Sequence, residues 1–582
     1  MPDCPFNPAA ENIADLIYRF GSLQSERWNN TSSLCADYVS SDYIILHMPL
    51  TPDAVSMRVH PYYMIPSLFS PLDYNAMEAS GILSAFNSPA LNNQGKGVLI
   101  GLVDTGIDYR SPLFQNPDST TRIAGIWDQS VPIEEDVLPA GVPDYYPMGG
   151  SSYGTEYTRE QINEALASDD PLSLVPTQDT IGHGTFLAGL AAGSSIPQED
   201  FTGAAPEAEL AVVKLKPAKK YLRDFYLIPS DAPAFQENDI MMGIKYLRMM
   251  ADRLKKPLVI LLAMGSNSGS HIGTSPLSQV TQNYSGFFGI ITVIAGGNET
   301  GAAHHFYASI PAGTEYEDVE IRVGKEEAER GFVLELWAAD ADTYTVGFIS
   351  PSGERISRIP IIANNETSIP FLLDATTITV NYQLIEAESG SQLIFMRFQT
   401  PAAGIWTVRV YNTQRFKGTF HMWLPVQGMI SEETVFLRPD PYSTITVPGN
   451  SRLPITVGAY DTSTGGIYIH SSRGFTPNQI VKPELAAPGV NILGPSVGRK
   501  PGSDTPMTTR TGTSAAAAIT AGAAANLLGW GIVEGNYPTM SEASVKSYLI
   551  RGAQRNPALT YPNREFGYGT LDLFQTFLRL RE

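Results

Sequence analysis

The sequence has few cysteines, no long apolar run and no excess of positive charge. Only Cys4 and Cys35 occur among 582 residues, which excludes a disulfide framework and predicts maturation in a reducing compartment. No run of about 18 apolar residues is present, so no membrane span is expected. Lys and Arg total 39 against 59 Asp and Glu, and the net charge of −20 disfavours nucleic-acid binding. Residues 1–8 carry neither a basic start nor an apolar core, so no signal peptide is expected.

A serine stands between a turn of small residues and an alanine-rich stretch. Residues 510–518 read RTGTSAAAA, and Ala515–Leu528 favours a helix, which places Ser514 at a helix N-terminus. Free main-chain N–H groups and the helix dipole stabilise negative charge there. Ser514 can therefore attack a carbonyl while its own N–H binds the oxyanion, although an ordinary N-cap serine shows the same pattern.

Two further segments carry polar side chains of the kind that activate a serine. An apolar strand over 97–103 ends on Asp104, and carboxylates in that position lie at the working edge of a parallel sheet. The Asp-Thr-Gly at 104–106 also occurs in aspartic proteases, but no second such motif follows an apolar strand. His183 lies between two glycines before a helix of small residues, where a histidine without partners would be structural.

Together these motifs resemble those of subtilisin-type serine proteases, the subtilases. The order Asp, His, Ser matches that family in VDTGID (103–108), GHGT (182–185) and GTS (512–514). The segment ITVIAGGN (291–298) fits the family's oxyanion asparagine, Asn298. The resemblance covers about residues 85–305 and 445–575 and implies an α/β fold, a subtilisin-like parallel sheet flanked by helices.

The resemblance implies a serine endopeptidase that hydrolyses protein or peptide substrates. Ser514 would be the nucleophile, His183 the general base, and Asp104 the group that fixes the histidine tautomer. The Asn298 side chain and the Ser514 N–H would form the oxyanion hole.

The same resemblance implies a substrate pocket and no metal site. Its two walls would be Ala263-Met264-Gly265 and Ala295-Gly296-Gly297, although Met264 equally fits a core position. Phe186 replaces the family's second histidine, and Leu113 stands where a calcium-binding aspartate is usual. Hard cations need several oxygen ligands, so neither a metal nor a cofactor is predicted.

The separation of Asn298 from Ser514 is longer than a compact subtilase needs. Short strands with Gly, Pro and Asn turns fill about 310–440 and predict an inserted all-β sandwich or jelly roll. The predicted parts are an N-terminal segment (1–78), a catalytic domain (79–309 and 443–582) and the insert (310–442). The insert is either a structural brace or a docking surface for a substrate or partner.

The N-terminal part is predicted to be a small α+β segment. Ala9–Phe20 has helical spacing, whereas Asp42–Met48 and Tyr62–Ile65 are expected to be strands. Subtilases commonly carry an inhibitory propeptide at this place, and the alternative is an extension that packs permanently on the protease.

A maturation cut is expected within the extended segment 66–74. It contains two prolines and no periodicity, and the predicted scissile bond follows Leu68, Phe69 or Leu72. The released piece would stay bound as an inhibitor.

Within the subtilases, the insert and the sequence GTSAA (512–516) most resemble the clostridial germination-protease group. That resemblance implies a cytoplasmic or spore-associated enzyme that activates another zymogen by limited cleavage. Two alternatives stay open: a broad-specificity intracellular subtilase and a catalytically inactive pseudoprotease scaffold.

Overall fold

The computed structural model describes residues 6–19, 35–40, 42–51, 55–71, 79–88, 91–132, 153–196, 201–339, 341–362, 366–498 and 506–580. Cys35 is disulfide-bonded, which differs from the expectation of reduced thiols. That expectation rested on the small number of cysteines, and this number alone does not decide whether two cysteines lie close enough to form a disulfide. Cys4, the other cysteine of the chain, lies outside the described residues.

The N-terminal segment begins with an antiparallel sheet. Strands β1 (Ile13–Arg19), β2 (Ala36–Tyr38) and β3 (Tyr43–Pro49) pair in the order β1-β3-β2, with Leu16 opposite Leu46. The helix predicted over Ala9–Phe20 is therefore wrong. Residues 13–17 are all buried, and pairing with β3 together with burial on both faces overrides the helical spacing.

A second expectation for this segment is also wrong. Tyr62–Ile65 does not form a strand, because Tyr62–Met64 is a 3₁₀ helix that starts directly after Pro61. The turn is closed locally, since the Met64 N–H donates to the Pro61 carbonyl at 3.0 Å and the Ile65 N–H to the Tyr62 carbonyl at 3.1 Å. Prolines on both sides lack the N–H that a sheet ladder would need. Farther on the chain is extended, as expected, and forms β4 (Leu68–Pro71).

The next strands alternate with helices, as in α/β proteins. They are β5 (Leu99–Asp104), β6 (Ile123–Asp128), β7 (Thr155–Thr158), β8 (Glu209–Lys214), β9 (Phe235–Gln236), β10 (Leu258–Leu262), β11 (Met264–Gly265) and β12 (Ile290–Ala295). Most are buried along their whole length, which is typical of a parallel sheet covered on both faces.

The following eleven strands differ in burial: Tyr316–Val323 and Gly404–Gln414 alternate between buried and more exposed positions, whereas Phe332–Ala338 is buried along its whole length. They are β13 (His305–Ser309), β14 (Tyr316–Val323), β15 (Phe332–Ala338), β16 (Thr343–Ile349), β17 (Arg355–Ile356), β18 (Glu366–Phe371), β19 (Thr376–Gln383), β20 (Leu393–Gln399), β21 (Gly404–Gln414), β22 (Thr419–Trp423) and β23 (Val435–Phe436). They form two antiparallel sheets, β13-β22-β15-β20-β19-β18 and β17-β16-β21-β14-β23, around one apolar cluster that contains Trp406. A jelly-roll classification of these sheets stays a prediction.

Of the last four strands, the first two complete the central sheet, and the last two pair with each other in a separate two-stranded antiparallel sheet. They are β24 (Ile455–Tyr460), β25 (Leu485–Pro488), β26 (Ile492–Pro495) and β27 (Met507–Arg510). The central sheet has eight strands in the order β25-β24-β12-β10-β5-β8-β6-β7, and all pair in parallel except β7. This is the α/β arrangement expected from the sequence.

Helices alternate with many of these strands along the chain. They span Ile82–Phe86, Arg159–Leu166, Pro171–Leu174, His183–Ala192, Lys220–Tyr226, Glu237–Leu254, Pro276–Tyr284, Glu327–Arg330, Thr513–Leu528, Glu542–Gly552 and Leu573–Arg579, with a 3₁₀ turn at Pro112–Phe114 and a π turn at Gly529–Val533. Within the described residues, Thr513–Val533 alone is long and apolar enough to cross a membrane, and most of it is buried inside the protein.

One apolar cluster joins three parts of the chain, and we call it the three-way cluster. Its members are Ala14, Met57, Tyr62, Ile65 and Leu68 from the N-terminal segment, Ala218, Tyr221, Leu222, Phe225, Tyr226, Ile228, Ala232 and Ala234 from the catalytic part, and Val333, Trp337, Leu393, Phe395, Trp423, Val426 and Met429 from the insert and its return. Beside it, the Glu335 carboxylate accepts hydrogen bonds from the Tyr62 hydroxyl at 2.5 Å and the Gly269 N–H at 2.9 Å.

Candidate active site

The structure brings Asp104 and His183 together. Asp104 is the last residue of β5, and His183 is the first residue of the helix His183–Ala192. His183 Nδ1 lies 2.7 Å from Asp104 Oδ1, and each residue is only 2% exposed. Asp104 Oδ1 also accepts the N–H of Thr105 at 2.7 Å. This is the contact that fixes which histidine nitrogen faces a nucleophile.

The glycines around His183 are needed for that contact. A Cβ on Gly184 would lie 2.1 Å from the Gly106 carbonyl oxygen and 3.2 Å from the Asp104 Cβ. Gly182 has φ +80°, a conformation that residues with a Cβ rarely adopt. Only glycine therefore lets the helix start approach the end of β5 this closely.

A buried carboxylate, Asp179, ties the two segments together. Its Oδ1 accepts the Thr105 hydroxyl at 2.9 Å and the Gly182 N–H at 2.7 Å. Its Oδ2 accepts both the N–H and the hydroxyl of Thr185, each at 2.8 Å. Sequence reasoning did not single out Asp179. No local signal marked it, because Asp179 lies ahead of Gly182, the N-cap residue of this helix, and not at the N-cap position itself.

Ser514 lies where the sequence placed it, in the first turn of the helix Thr513–Leu528. Its N–H therefore has no acceptor within the helix. Its hydroxyl oxygen is buried and makes no hydrogen bond within the described residues, to His183 or any other group. Nucleophile–base contacts of this kind often form only when substrate binds.

Asn298 is oriented by the same helix start. Its Oδ1 accepts the N–H of Thr513 at 3.1 Å, and the Thr513 hydroxyl accepts the N–H of Gly297 at 3.1 Å. Since Oδ1 is occupied, the Asn298 amide NH₂ is the end that is available to an oxyanion beside Ser514.

The predicted pocket walls lie on β11 and at the end of β12. Met264 is 1% exposed and belongs to the same apolar cluster as Phe69 and Val447, which is also what a core residue would show. A Cβ on Gly265 or on Gly297 would lie 2.5 or 2.7 Å from side-chain atoms of Thr446. Thr446 therefore lies against both walls, a position that its sequence context did not reveal.

Strand β4 of the N-terminal segment occupies the edge of β11. In the three-stranded order β11-β4-β9, Met264 pairs with Pro71 and Gly265 with Ser70 in antiparallel register. On its other side β4 pairs with β9, where Phe69 lies opposite Phe235. A peptide strand thus lies between two strands of the catalytic part, a form of strand addition.

Buried charges fasten the N-terminal segment to the catalytic part. Lys219 Nζ lies 2.7 Å from Asp15 Oδ2 and donates to the main-chain carbonyls of Pro8 and Ile13 at 2.6 and 3.0 Å. Burial lowers the pKa of Lys219, and the Asp15 carboxylate opposes that effect. Losing either partner would leave the other charge buried and unpaired.

Inside the N-terminal sheet, His47 bridges two carboxylates. Its Nδ1 lies 2.8 Å from Asp15 Oδ1 and its Nε2 lies 3.2 Å from Asp37 Oδ2. Burial disfavours the imidazolium, but hydrogen bonds to both carboxylates outweigh it and raise the pKa of His47 to about 9. An imidazolium is the state that can donate to both carboxylates at once. We call Asp15, Asp37, His47 and Lys219 the charged latch.

No group of three or more His, Cys, Asp or Glu side chains suited to a metal ion occurs within the described ranges. The hydrogen-bonded pair of Asp104 and His183, and Ser514 with Asn298 at one helix start, are the residue types that subtilisin-like serine proteases use.

Comparison with known proteins agrees with this class. The family model described as the subtilase family matches residues 95–349 and 438–569, and the chain belongs to the subtilase family. It is related to the CspB protease of Clostridium perfringens, whose structure it matches with 30% identity and a TM-score of 0.75 over 87% of this chain and 97% of that one.

Curated relatives from Arabidopsis thaliana are more distant. Subtilisin-like protease SBT3.12 is 24% identical and covers 81% of this chain and 59% of the relative. Subtilisin-like protease SBT3.5 is 23% identical and covers 87% of this chain and 64% of the relative. The chain thus spans about three fifths of the length of these relatives.

Proposed function

We propose that this protein is a serine endopeptidase that cleaves peptide bonds through an acyl-enzyme. The observation that carries the proposal is the buried 2.7 Å contact of His183 Nδ1 with Asp104. His183 Nε2 takes the Ser514 proton as the hydroxyl attacks the scissile carbonyl, and later returns it to the leaving amine. Asp104 stabilises the imidazolium that forms. The Asn298 amide and the Ser514 N–H bind the oxyanion.

Loss of the nucleophile or the base tests this mechanism. Ser514→Ala and His183→Ala should each reduce peptide hydrolysis to background while the circular-dichroism spectrum stays that of the wild type. A serine-directed fluorophosphonate should label the wild type and not Ser514→Ala. An unlabelled wild type would favour the pseudoprotease alternative, and turnover by Ser514→Ala above a few per cent would refute the serine mechanism.

The N-terminal segment is proposed to be a propeptide that stays in the cleft as an inhibitor. Support comes from the pairing of β4 with β11 and β9 and from the charged latch. Of the three bonds expected from the sequence, those after Leu68 and Phe69 lie within the paired strand. The bond after Leu72 is therefore preferred; Leu72 itself lies outside the described residues.

N-terminal sequencing tests the cut. The purified wild type should show a new N-terminus at Asp73, and Ser514→Ala should stay full length. An intact N-terminus on an enzyme that hydrolyses peptides would contradict self-cleavage and favour a permanent extension.

The finer role that we propose is limited processing of another zymogen during spore germination, by a cytoplasmic or spore-associated enzyme. The likeness to the CspB protease supports this role. A second support is the pairing of β4 with β11, because a strand in that place restricts the access of substrates, which a broad-specificity intracellular protease would need. Mass spectrometry of cleavage products from a peptide library distinguishes the two. One dominant sequence supports limited processing, whereas many unrelated cuts support the broad alternative.

A further inference from the structure

The chain returns from the insert to the catalytic part next to the oxyanion asparagine. We call residues 424–430 the return strap. The Leu424 N–H donates to the His304 carbonyl at 2.9 Å, and the Asn267 side chain donates to the Leu424 carbonyl at 3.2 Å. Leu424 is 1% exposed, so the strap is fixed to the catalytic part where it begins.

The strap then reaches Glu299, the neighbour of Asn298. Glu299 is 2% exposed, and its Oε1 accepts the main-chain N–H of Gln427 at 3.1 Å. Its Oε2 accepts the Asn267 amide at 2.9 Å and lies 3.0 Å from His304 Nδ1. A buried carboxylate with these partners holds its own main chain in one place.

The same strap residue also holds Asn298 directly. The Gln427 side-chain Nε2 donates to the Asn298 carbonyl at 2.7 Å, although the rest of Gln427 is exposed. Asn298 is thus held at two atoms, its Oδ1 by the Thr513 N–H and its carbonyl by the strap. The first contact fixes the side-chain rotamer, and the second fixes the peptide plane from which that side chain projects.

We propose that the return strap, through Gln427, positions Asn298 for oxyanion binding, so that the β insert contributes to turnover. Gln427 is a positioning residue, because it touches the Asn298 carbonyl and not the substrate. This inference rests on the proposed serine-protease mechanism. Its signature is a loss in kcat with an unchanged KM, because the oxyanion exists only in the transition state.

The test measures kcat and KM of the wild type, Gln427→Ala, Asn298→Ala and the double variant. Losing one oxyanion donor typically costs about 10²–10³ in kcat, and losing one neutral hydrogen bond that orients it about five- to tenfold. Gln427→Ala should therefore lower kcat about five- to tenfold, with KM within about twofold. In the Asn298→Ala background, the same substitution should change kcat by less than about twofold.

Two further variants sharpen the result. Gln427→Glu keeps the length and loses the Nε2 donor, so kcat should fall at least as far as in Gln427→Ala. Gln414→Ala removes another exposed glutamine, at the end of β21 in the same insert, and should leave kcat unchanged.

A wild-type kcat in Gln427→Ala would overturn the inference, and so would an equal loss in the Asn298→Ala background. If Ser514→Ala is inactive, either result refutes only the positioning role of Gln427, and the proposed protease function stays in place. Failure of that function appears instead as an inactive wild type.

Discussion

The charged latch makes the stability of this protein depend on pH through one histidine. His47 is 5% exposed, and its pKa rises from the usual 6.5 to about 9 because the Asp15 and Asp37 carboxylates outweigh its burial. A difference of about 2.5 pKa units corresponds to on the order of 3 kcal/mol. Since the pKa is raised on folding, this stabilisation is complete below about pH 6.5 and is lost as the pH rises to about 9.

The charged groups that face His47 do not reverse the expected loss of stability with rising pH. Asp15 also lies within 2.7 Å of Lys219, and burial opposes its charge while the Lys219 ammonium and the His47 imidazolium hold the Asp15 pKa below its usual value. Lys216, whose Nζ pairs with Asp239 at 2.6 Å, adds a further positive charge near Asp15. Asp15 therefore stays ionised across the whole window and remains a partner for the His47 imidazolium.

The assay is urea unfolding of Ser514→Ala with and without His47→Gln, followed by fluorescence at about pH 6, 7.5 and 9.5. The difference between the two proteins should be on the order of 3 kcal/mol at the lowest pH and approach zero at the highest. Burial raises the pKa of Glu237 to about 7, so both proteins lose stability in this window, and the subtraction removes that effect. His60→Gln, a half-buried histidine of the same segment outside the latch, is the control. A difference that does not change with pH would refute the reasoning.

Two other predictions concern the site and its occupant. Asp179→Asn should lower kcat at least about tenfold, because the Asn NH₂ cannot accept the Thr185 N–H. The control is Asp342→Asn, since Asp342 is a buried carboxylate of the insert that accepts four main-chain N–H groups. This control should have a lower melting temperature and an unchanged kcat. Equal kcat losses in both variants would contradict a positioning role for Asp179. Phe69→Ala should weaken retention of the cleaved N-terminal segment about 10²-fold or more, since truncating a fully buried phenylalanine costs about 3–5 kcal/mol. Gel filtration measures this retention, and co-elution as complete as in the wild type would contradict it.

The four candidate site residues could be proposed from the sequence because each is defined by its own neighbours in the chain. Asp104 ends an apolar strand, and Ser514 begins an alanine-rich helix. His183 is flanked by glycines, and a larger residue would not fit at Gly184, because its Cβ would lie 2.1 Å from the Gly106 carbonyl oxygen. Local pattern and the order of the motifs were sufficient to propose these residues, and their catalytic roles stay predictions.

The rest depends on contacts between distant residues. The bonds of Asp179 to Thr105 and of Gln427 to Asn298 join segments that no local pattern relates. The strand Ile13–Arg19 was mistaken for a helix because apolar residues satisfy both periodicities when an element is buried on both faces. Only its pairing with β3 decides between them.

The three-way cluster also sets an order for folding during synthesis. Its N-terminal members, Ala14 to Leu68, are made early, but their partners extend to Met429. At about 5–20 residues per second, the ribosome needs roughly 20–70 s to make the intervening chain. During that time the apolar side chains of the N-terminal segment have no complete core to enter, and they are exposed to other nascent chains. A chaperone that binds apolar segments would therefore be expected to engage this protein before residue 429 has left the ribosome, and to release it afterwards.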